Sequence, residues 1–159
     1  MKTLILYATK YGTAEVVAQK LSKELDGVVD LVNIMIEPAP SLELYDTVIL
    51  GGSIYMGRIQ KQLTKYMKEH IHELEGKTIG LYICAAHPEE RKRQIELQQA
   101  FPDSLNRKAA VKAILGYVIN FEKMKLIDKL IMRKVKGDSN SNAEFYENRI
   151  RSFCQSLHS

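Results

Sequence analysis

Residues 3–14 read Thr3-Leu4-Ile5-Leu6-Tyr7-Ala8-Thr9-Lys10-Tyr11-Gly12-Thr13-Ala14. Residues 3–7 form a strand-length run that is almost continuously apolar rather than alternating, as in a strand buried on both faces of a parallel sheet. From Ala14 the period changes. Ala14, Val17, Ala18, Leu21 and Leu25 fall at i, i+3, i+4, i+7 and i+11, one stripe of an α-helix. Thr13 can cap the start of this helix, and Gly27 punctuates the region just after its end. A buried strand passing through a short turn into an amphipathic helix sets the pattern for the rest of the chain.

Working outward, residues 28–34, 47–50, 78–84 and 111–118 repeat the strand signature in Val, Ile, Leu and Tyr. Ile59, Leu63, Tyr66, Met67 and Ile71 give a second helical stripe, and Tyr146, Ile150, Phe153 and Leu157 a closing one. Residues 35–45 hold Pro38 and Pro40 and permit at most a short helical turn over residues 41–44. The order βαβ(short)βαβαβα predicts a doubly wound α/β architecture with a mostly parallel sheet. At 159 residues, with no repeat or linker, one domain spanning residues 1–159 is expected.

Composition excludes several classes. Hydrophobic residues at 45% and charged residues at 26% are globular values, neither disordered nor fibrous. No apolar stretch approaches the ~18 residues that span a bilayer. The apolar run after Lys2 is too short for a signal peptide. Cys84 and Cys154 stand far apart, with no Cys/His cluster at zinc spacing, so neither a disulfide scaffold nor a metal is expected. No nucleic-acid partner is expected either.

In such a sheet, ligands bind beyond the carboxyl ends of the strands, so the loops after strands one, three and four decide function. In the first, backbone N–H groups at the helix start lack intrahelical acceptors and sit at the positive end of the dipole. Thr9 and Thr13 can add hydroxyl donors, and Gly12 permits close approach of a phosphate. The same hydroxyls could equally do no more than cap the helix. The dinucleotide pattern G-x-G-x-x-G is absent. The second loop, Gly51-Gly52-Ser53-Ile54-Tyr55-Met56-Gly57-Arg58, narrowly misses a nucleotide P-loop. Arg58 replaces its phosphate lysine and Ile59 its metal-binding hydroxyl, so a nucleoside triphosphatase is rejected. A flat heterocycle suits it better: glycines admit the backbone, while Ile54, Tyr55 and Met56 offer stacking or apolar cover. Tyr55 could also simply pack on the second helix. In the third loop, Cys84-Ala85-Ala86-His87-Pro88-Glu89, small residues would let amides reach a ring edge. There His87 reads either as an exposed loop residue or as a proton donor. No Ser/His/Asp, Cys/His or paired-carboxylate constellation appears, so no catalytic side chain is assigned, and a cofactor would carry the chemistry.

The first loop resembles the phosphate loop of flavodoxin-like proteins, Ser/Thr-x-Thr-Gly-x-Thr, through Thr9-Lys10-Tyr11-Gly12-Thr13-Ala14. Thr9 and Gly12 fit that pattern, while Tyr11 and Ala14 replace two of its threonines. Within that group the chain is similar to the menaquinone-dependent protoporphyrinogen IX dehydrogenases. The similarity lies in residues 1–7, Gly52-Ser53-Ile54-Tyr55-Met56-Gly57, Pro88-Glu89-Glu90-Arg91, Asp128-Lys129-Leu130-Ile131-Met132-Arg133 and Lys136-Gly137-Asp138. The resemblance implies a flavodoxin-like fold, a five-stranded parallel sheet with helices on both faces, and FMN as cofactor. It implies Thr9, Lys10, Gly12 and Thr13 around the phosphate, with Tyr11 and Ala14 in the same loop. Ser53, Ile54, Tyr55, Met56 and Gly57 would lie beside the ring, with Ala85, Ala86 and His87 at its other edge. It further implies an oxidoreductase taking electrons from a porphyrinogen, or another redox substrate, and giving them to a quinone. A flavodoxin-type carrier serving redox-protein partners, and an interaction module that has lost flavin, are the other readings.

Charge is uneven. Residues 106–136 carry nine Lys/Arg against Glu122 and Asp128, hence +7, which leaves −3 for the remainder of a chain whose total is +4. Such a basic segment argues against an acidic electron carrier. Residues 123–136 mix apolar and cationic positions at helical spacing. They read either as a helix packed on the sheet with solvated lysines, or as a peripheral contact with anionic lipid, where a quinone acceptor dissolves. The expected location is cytoplasmic, with that contact at the inner face of the membrane.

Overall fold

The computed structural model describes residues 1–119, 142–144 and 147–158. Five parallel strands build the sheet: β1 (Lys2–Ala8), β2 (Val28–Asn33), β3 (Thr47–Ser53), β4 (Thr78–Cys84) and β5 (Val111–Ile114), in the order β2-β1-β3-β4-β5. The order reverses between β1 and β3, so β1 lies between β2 and β3, with Leu6 level with Val32 and Leu50. The helices are α1 (Thr13–Glu24), α2 (Lys61–Glu69), α3 (Ile71–Glu75), α4 (Glu90–Ala100), α5 (Asp103–Lys108) and α6 (Glu147–Leu157). Among the described residues, no helix is long and apolar enough to cross a membrane.

Strand alternation sorts the core into two layers. Leu4, Leu6, Val48, Leu50, Leu81 and Ile83 face one side, against Leu63 and Met67 of α2, Leu74 of α3, Leu97 of α4 and Leu105 of α5. Ile5, Tyr7, Ile49 and Tyr82 face the other, against Val17, Ala18 and Leu21 of α1 and Ile150 and Phe153 of α6. Of the expected stripes, Ala14, Val17, Ala18 and Leu21 of α1 and Ile150, Phe153 and Leu157 of α6 are buried, while Leu25 is the extended, partly buried cap after α1 and Tyr146 lies outside the described residues. The turn expected over 41–44 is a 3-10 helix, Leu42–Leu44, with Ser41 Oγ accepting from the Glu43 amide.

Several boundaries differ from the sequence reading, and one helix expected between β4 and β5 is two, α4 and α5. Strand three runs on to Ser53 instead of stopping at residue 50, because Gly51 and Gly52 continue the pairing with β1 and β4. The second helical stripe starts only at Lys61, which leaves Ile59 in the preceding loop, and breaks at His70 into α2 and α3. The run 111–118 is divided at Leu115-Gly116, where Gly116 takes φ 130, and Tyr117–Ile119 turns away to pair antiparallel with Asn142–Glu144. Residues 123–136, read as a basic helix, lie outside the described residues.

Candidate functional site

The first loop closes on itself. Gly12 takes φ 91, a left-handed conformation open to glycine, and its amide donates to Thr9 Oγ1 at 2.9 Å. The helix cap is therefore Gly12 and not Thr13, which is instead the first helical residue and is buried. Because Gly12 takes up the turn, the amides of Thr13, Ala14 and Glu15 open α1 without intrahelical acceptors. The Ala14 side chain is buried in the α1 layer, so only its amide can serve a ligand.

A buried tyrosine sets the height of this turn. Tyr82 on β4 is level with Gly51 on β3. Its ring lies over that glycine, and its hydroxyl donates to the Ala14 carbonyl at 2.9 Å. A Cβ at Gly51 would sit 2.0 Å from the ring. On the other face, a Cβ at Gly52 would sit 2.5 Å from Ile59 Cγ1. Both glycines are thus occupied by the protein's own side chains, which corrects their reading as backbone open to a heterocycle. Tyr82 was not singled out in the sequence. Its signal was an aromatic strand residue opposite a glycine pair, legible only once the register is known.

Beyond Ser53 the second loop is a tight hairpin. The Tyr55 amide donates to the Arg58 carbonyl at 2.9 Å and the Arg58 amide returns the bond at 3.1 Å. Met56 and Gly57 between them hold φ 51 and φ 78, the positive angles of primed turns. For Met56 this conformation costs roughly 1–2 kcal/mol. It leaves the side chain 65% exposed at the tip. The Gln60 side-chain carbonyl accepts from the Ser53 amide at 3.2 Å and so steadies the base of the loop. Ser53 Oγ is buried and makes no hydrogen bond among the described residues, while a Cβ at Gly57 would meet no described atom within 4 Å.

The loops are joined. Lys10 Nζ stands 3.7 Å from the centre of the Tyr55 ring and 5.4 Å from that of Tyr11, so the first loop's ammonium reaches the second loop's aromatic face. The Ile54 amide donates to the Cys84 carbonyl at 2.9 Å, and the Ile54 side chain packs on the core. In the third loop the Ala85 amide is committed to the Gly116 carbonyl at 3.2 Å, so of the three expected residues its amide is already taken by the protein. His87 Nδ1 accepts from the Glu89 amide at 3.0 Å, and its carbonyl accepts from Arg93 Nη1 at 2.5 Å. His87 is therefore built into the entry of α4, a half-buried residue rather than an exposed one. On α4, burial raises the pKa of Glu96, with His87 and Arg93 opposing.

All three loops expected from the sequence thus stand at the carboxyl ends of adjacent strands, β1, β3 and β4, beside the switch point between β1 and β3. That architecture is flavodoxin-like. A flavodoxin-domain family model matches residues 4–144, and the chain belongs to that family. It is 26% identical over 155 residues to protoporphyrinogen IX dehydrogenase [quinone] of Escherichia coli (strain K12), covering 91% of this chain and 86% of that one. Among solved structures it is similar to oxidised flavodoxin 1 from Bacillus cereus, with TM-score 0.61 and 15% identity over 99% of this chain and 97% of that one. A Fusobacterium nucleatum flavodoxin mutant bound to flavin mononucleotide gives TM-score 0.59 and 14% identity, over 99% and 95%.

Proposed function

We propose that this chain is a single flavodoxin-like domain, residues 1–159, that binds FMN across the three loops. It works as an oxidoreductase of the protoporphyrinogen IX dehydrogenase (quinone) type, with a porphyrinogen as electron donor and a quinone as acceptor. The observation that carries the cofactor is the opening of α1, where Gly12 exposes helix-start amides to an anion beside a glycine hairpin and an aromatic ring. The residues present fit the group: Ser53 Oγ is a buried hydroxyl without a described partner at the base of the hairpin, and at the hairpin tip a Cβ on Gly57 would meet no described atom within 4 Å. Bound flavin supplies the electron and hydride capacity that no side chain here offers.

The chain's own residues bind and orient. The amides of Thr13, Ala14 and Glu15 hold the phosphate, and Thr9 shapes that loop through its bond to Gly12. Lys10 adds positive charge between the phosphate loop and Tyr55. Ser53, Ile54, Tyr55, Met56 and Gly57 lie along the ring, while the amides of Ala86 and His87 close its far edge. The name carried by the Escherichia coli relative supports the donor and acceptor. A cytoplasmic location, with residues 123–136 touching anionic lipid, completes the reading.

Reconstitution tests it. FMN binding should be tighter than riboflavin binding, because only FMN offers a phosphate to α1, and the loaded protein should oxidise protoporphyrinogen with a quinone. Equal affinity for the two flavins rejects the phosphate loop, and absence of flavin binding leaves an interaction module. The flavodoxin names of the structural neighbours favour a second reading, an electron carrier between redox proteins. Flavin binding without porphyrinogen turnover would select it.

A further inference from the structure

A groove of about 1050 Å³ starts at Lys10 and Tyr55, follows the exposed side of α2 and reaches Met35 and the end of α4. Its lining carries five cations, Lys10, Arg58, Lys61, Lys65 and Lys68, against one acid, Glu69. Lys61, Lys65 and Lys68 fall at i, i+4 and i+7, a single stripe of like charge that an isolated helix would disfavour. Glu69 pairs with Lys65 at 3.8 Å, while Arg58, Lys61 and Lys68 have no ion-pair partner among the described residues. Apolar surface lies between the charges, from Met35, Tyr55, Ile59 and Ala100.

We propose that this groove binds an amphipathic polycarboxylate, its apolar body over Tyr55 and Ile59 and its carboxylates on Arg58, Lys61 and Lys65. The spacing favours separate anionic arms over one compact phosphate. From Lys61 to Lys68 the helix advances about 10 Å, so no single tetrahedral anion meets the whole stripe. Arg58, on the hairpin next to Tyr55, offers the planar fork that matches a carboxylate. The inference rests on the dehydrogenase reading above for the identity of the ligand: a porphyrinogen is a large apolar ring bearing carboxylate arms, and this groove adjoins the face where flavin would lie.

The FMN-loaded full chain is titrated with protoporphyrin IX, the oxidised and unreactive form, and separately with its dimethyl ester, both followed by porphyrin fluorescence. The diacid should bind more tightly, with an affinity that falls as salt rises. Lys61→Gln/Lys65→Gln should weaken the diacid by about tenfold and leave the ester unchanged. Lys23→Gln/Lys108→Gln, which removes equal charge elsewhere, should change neither. Equal binding of diacid and ester, equal effects of the two double variants, or displacement by inorganic phosphate without preference for the diacid would each overturn the groove assignment. Turnover separates the two proposals. Porphyrinogen oxidation with a KM unmoved by Lys61→Gln/Lys65→Gln rejects the groove alone, whereas diacid-selective binding without oxidation rejects the dehydrogenase reading alone.

Discussion

Replacing Gly51 by alanine tests the link between the sheet and the first loop. The added Cβ would lie 2.0 Å from Cε1 and Cζ of Tyr82 and 2.5 Å from Cε2. Ordinary contact needs roughly 3.5 Å or more, so the ring must retreat by more than ~1 Å. It has nowhere to go: Tyr82 is fully buried and packs edge-on against Phe153, with ring centroids 6.4 Å apart. Overpacking of this kind costs roughly 1–3 kcal/mol. Moving the ring also breaks its hydroxyl's bond to Ala14, worth roughly 0.5–1.5 kcal/mol. The expected loss is therefore roughly 1.5–4.5 kcal/mol, read as a lower urea midpoint at unchanged slope. Tyr82→Phe keeps the ring and removes only the hydroxyl, so it should lose about 1 kcal/mol. Because Ala14 opens α1, both variants should also weaken FMN binding relative to riboflavin. If Gly51→Ala unfolds within about 0.5 kcal/mol of the parent and binds FMN as well, the close approach of Tyr82 is not what holds the loop.

Tyr55→Ala should weaken FMN binding by about tenfold or less, the worth of one aromatic contact, and titration by flavin fluorescence will read it. Burial raises the pKa of Tyr7, Tyr45 and Tyr66 to about 12, with Glu15 adding at Tyr7, the hydrogen bond to Asp30 at Tyr45 and Glu73 at Tyr66. Unfolded tyrosines ionise near 10, so the stability these groups contribute is complete below pH 10 and lost as pH rises through 12. Thermal melts from pH 9 to 12 should show that fall, and a flat profile would contradict it. Burial also raises both thiols, Cys84 strongly and Cys154 to about 11. A disulfide-exchange reagent at pH 8 should therefore label Cys84 only after denaturation, and Cys154 slowly in the folded chain.

The amino-acid sequence by itself determined the architecture and the whereabouts of the three loops of the candidate site. The most continuous apolar runs, those of β1, β3 and β4, are buried as the inner parallel strands, and the stripe Ala14, Val17, Ala18, Leu21 is buried by a helix against that sheet. Strand order aside, those facts already put Thr9–Thr13, Ser53–Gly57 and Ala85–His87 at one edge. What occupies each glycine was not legible, because Gly51 meets Tyr82 through a register that two distant segments choose together. The cap of α1 differs for a local reason: Gly12 in a left-handed turn leaves Thr13 inside the helix, and a dihedral angle leaves no periodicity to read. The reach of Lys10 to Tyr55, and the groove that brings the lysine stripe of α2 together with Arg58, Tyr55 and Met35, also belong to the tertiary structure. Periodicity reports which face of an element avoids water, whereas packing decides which exposed charges become neighbours.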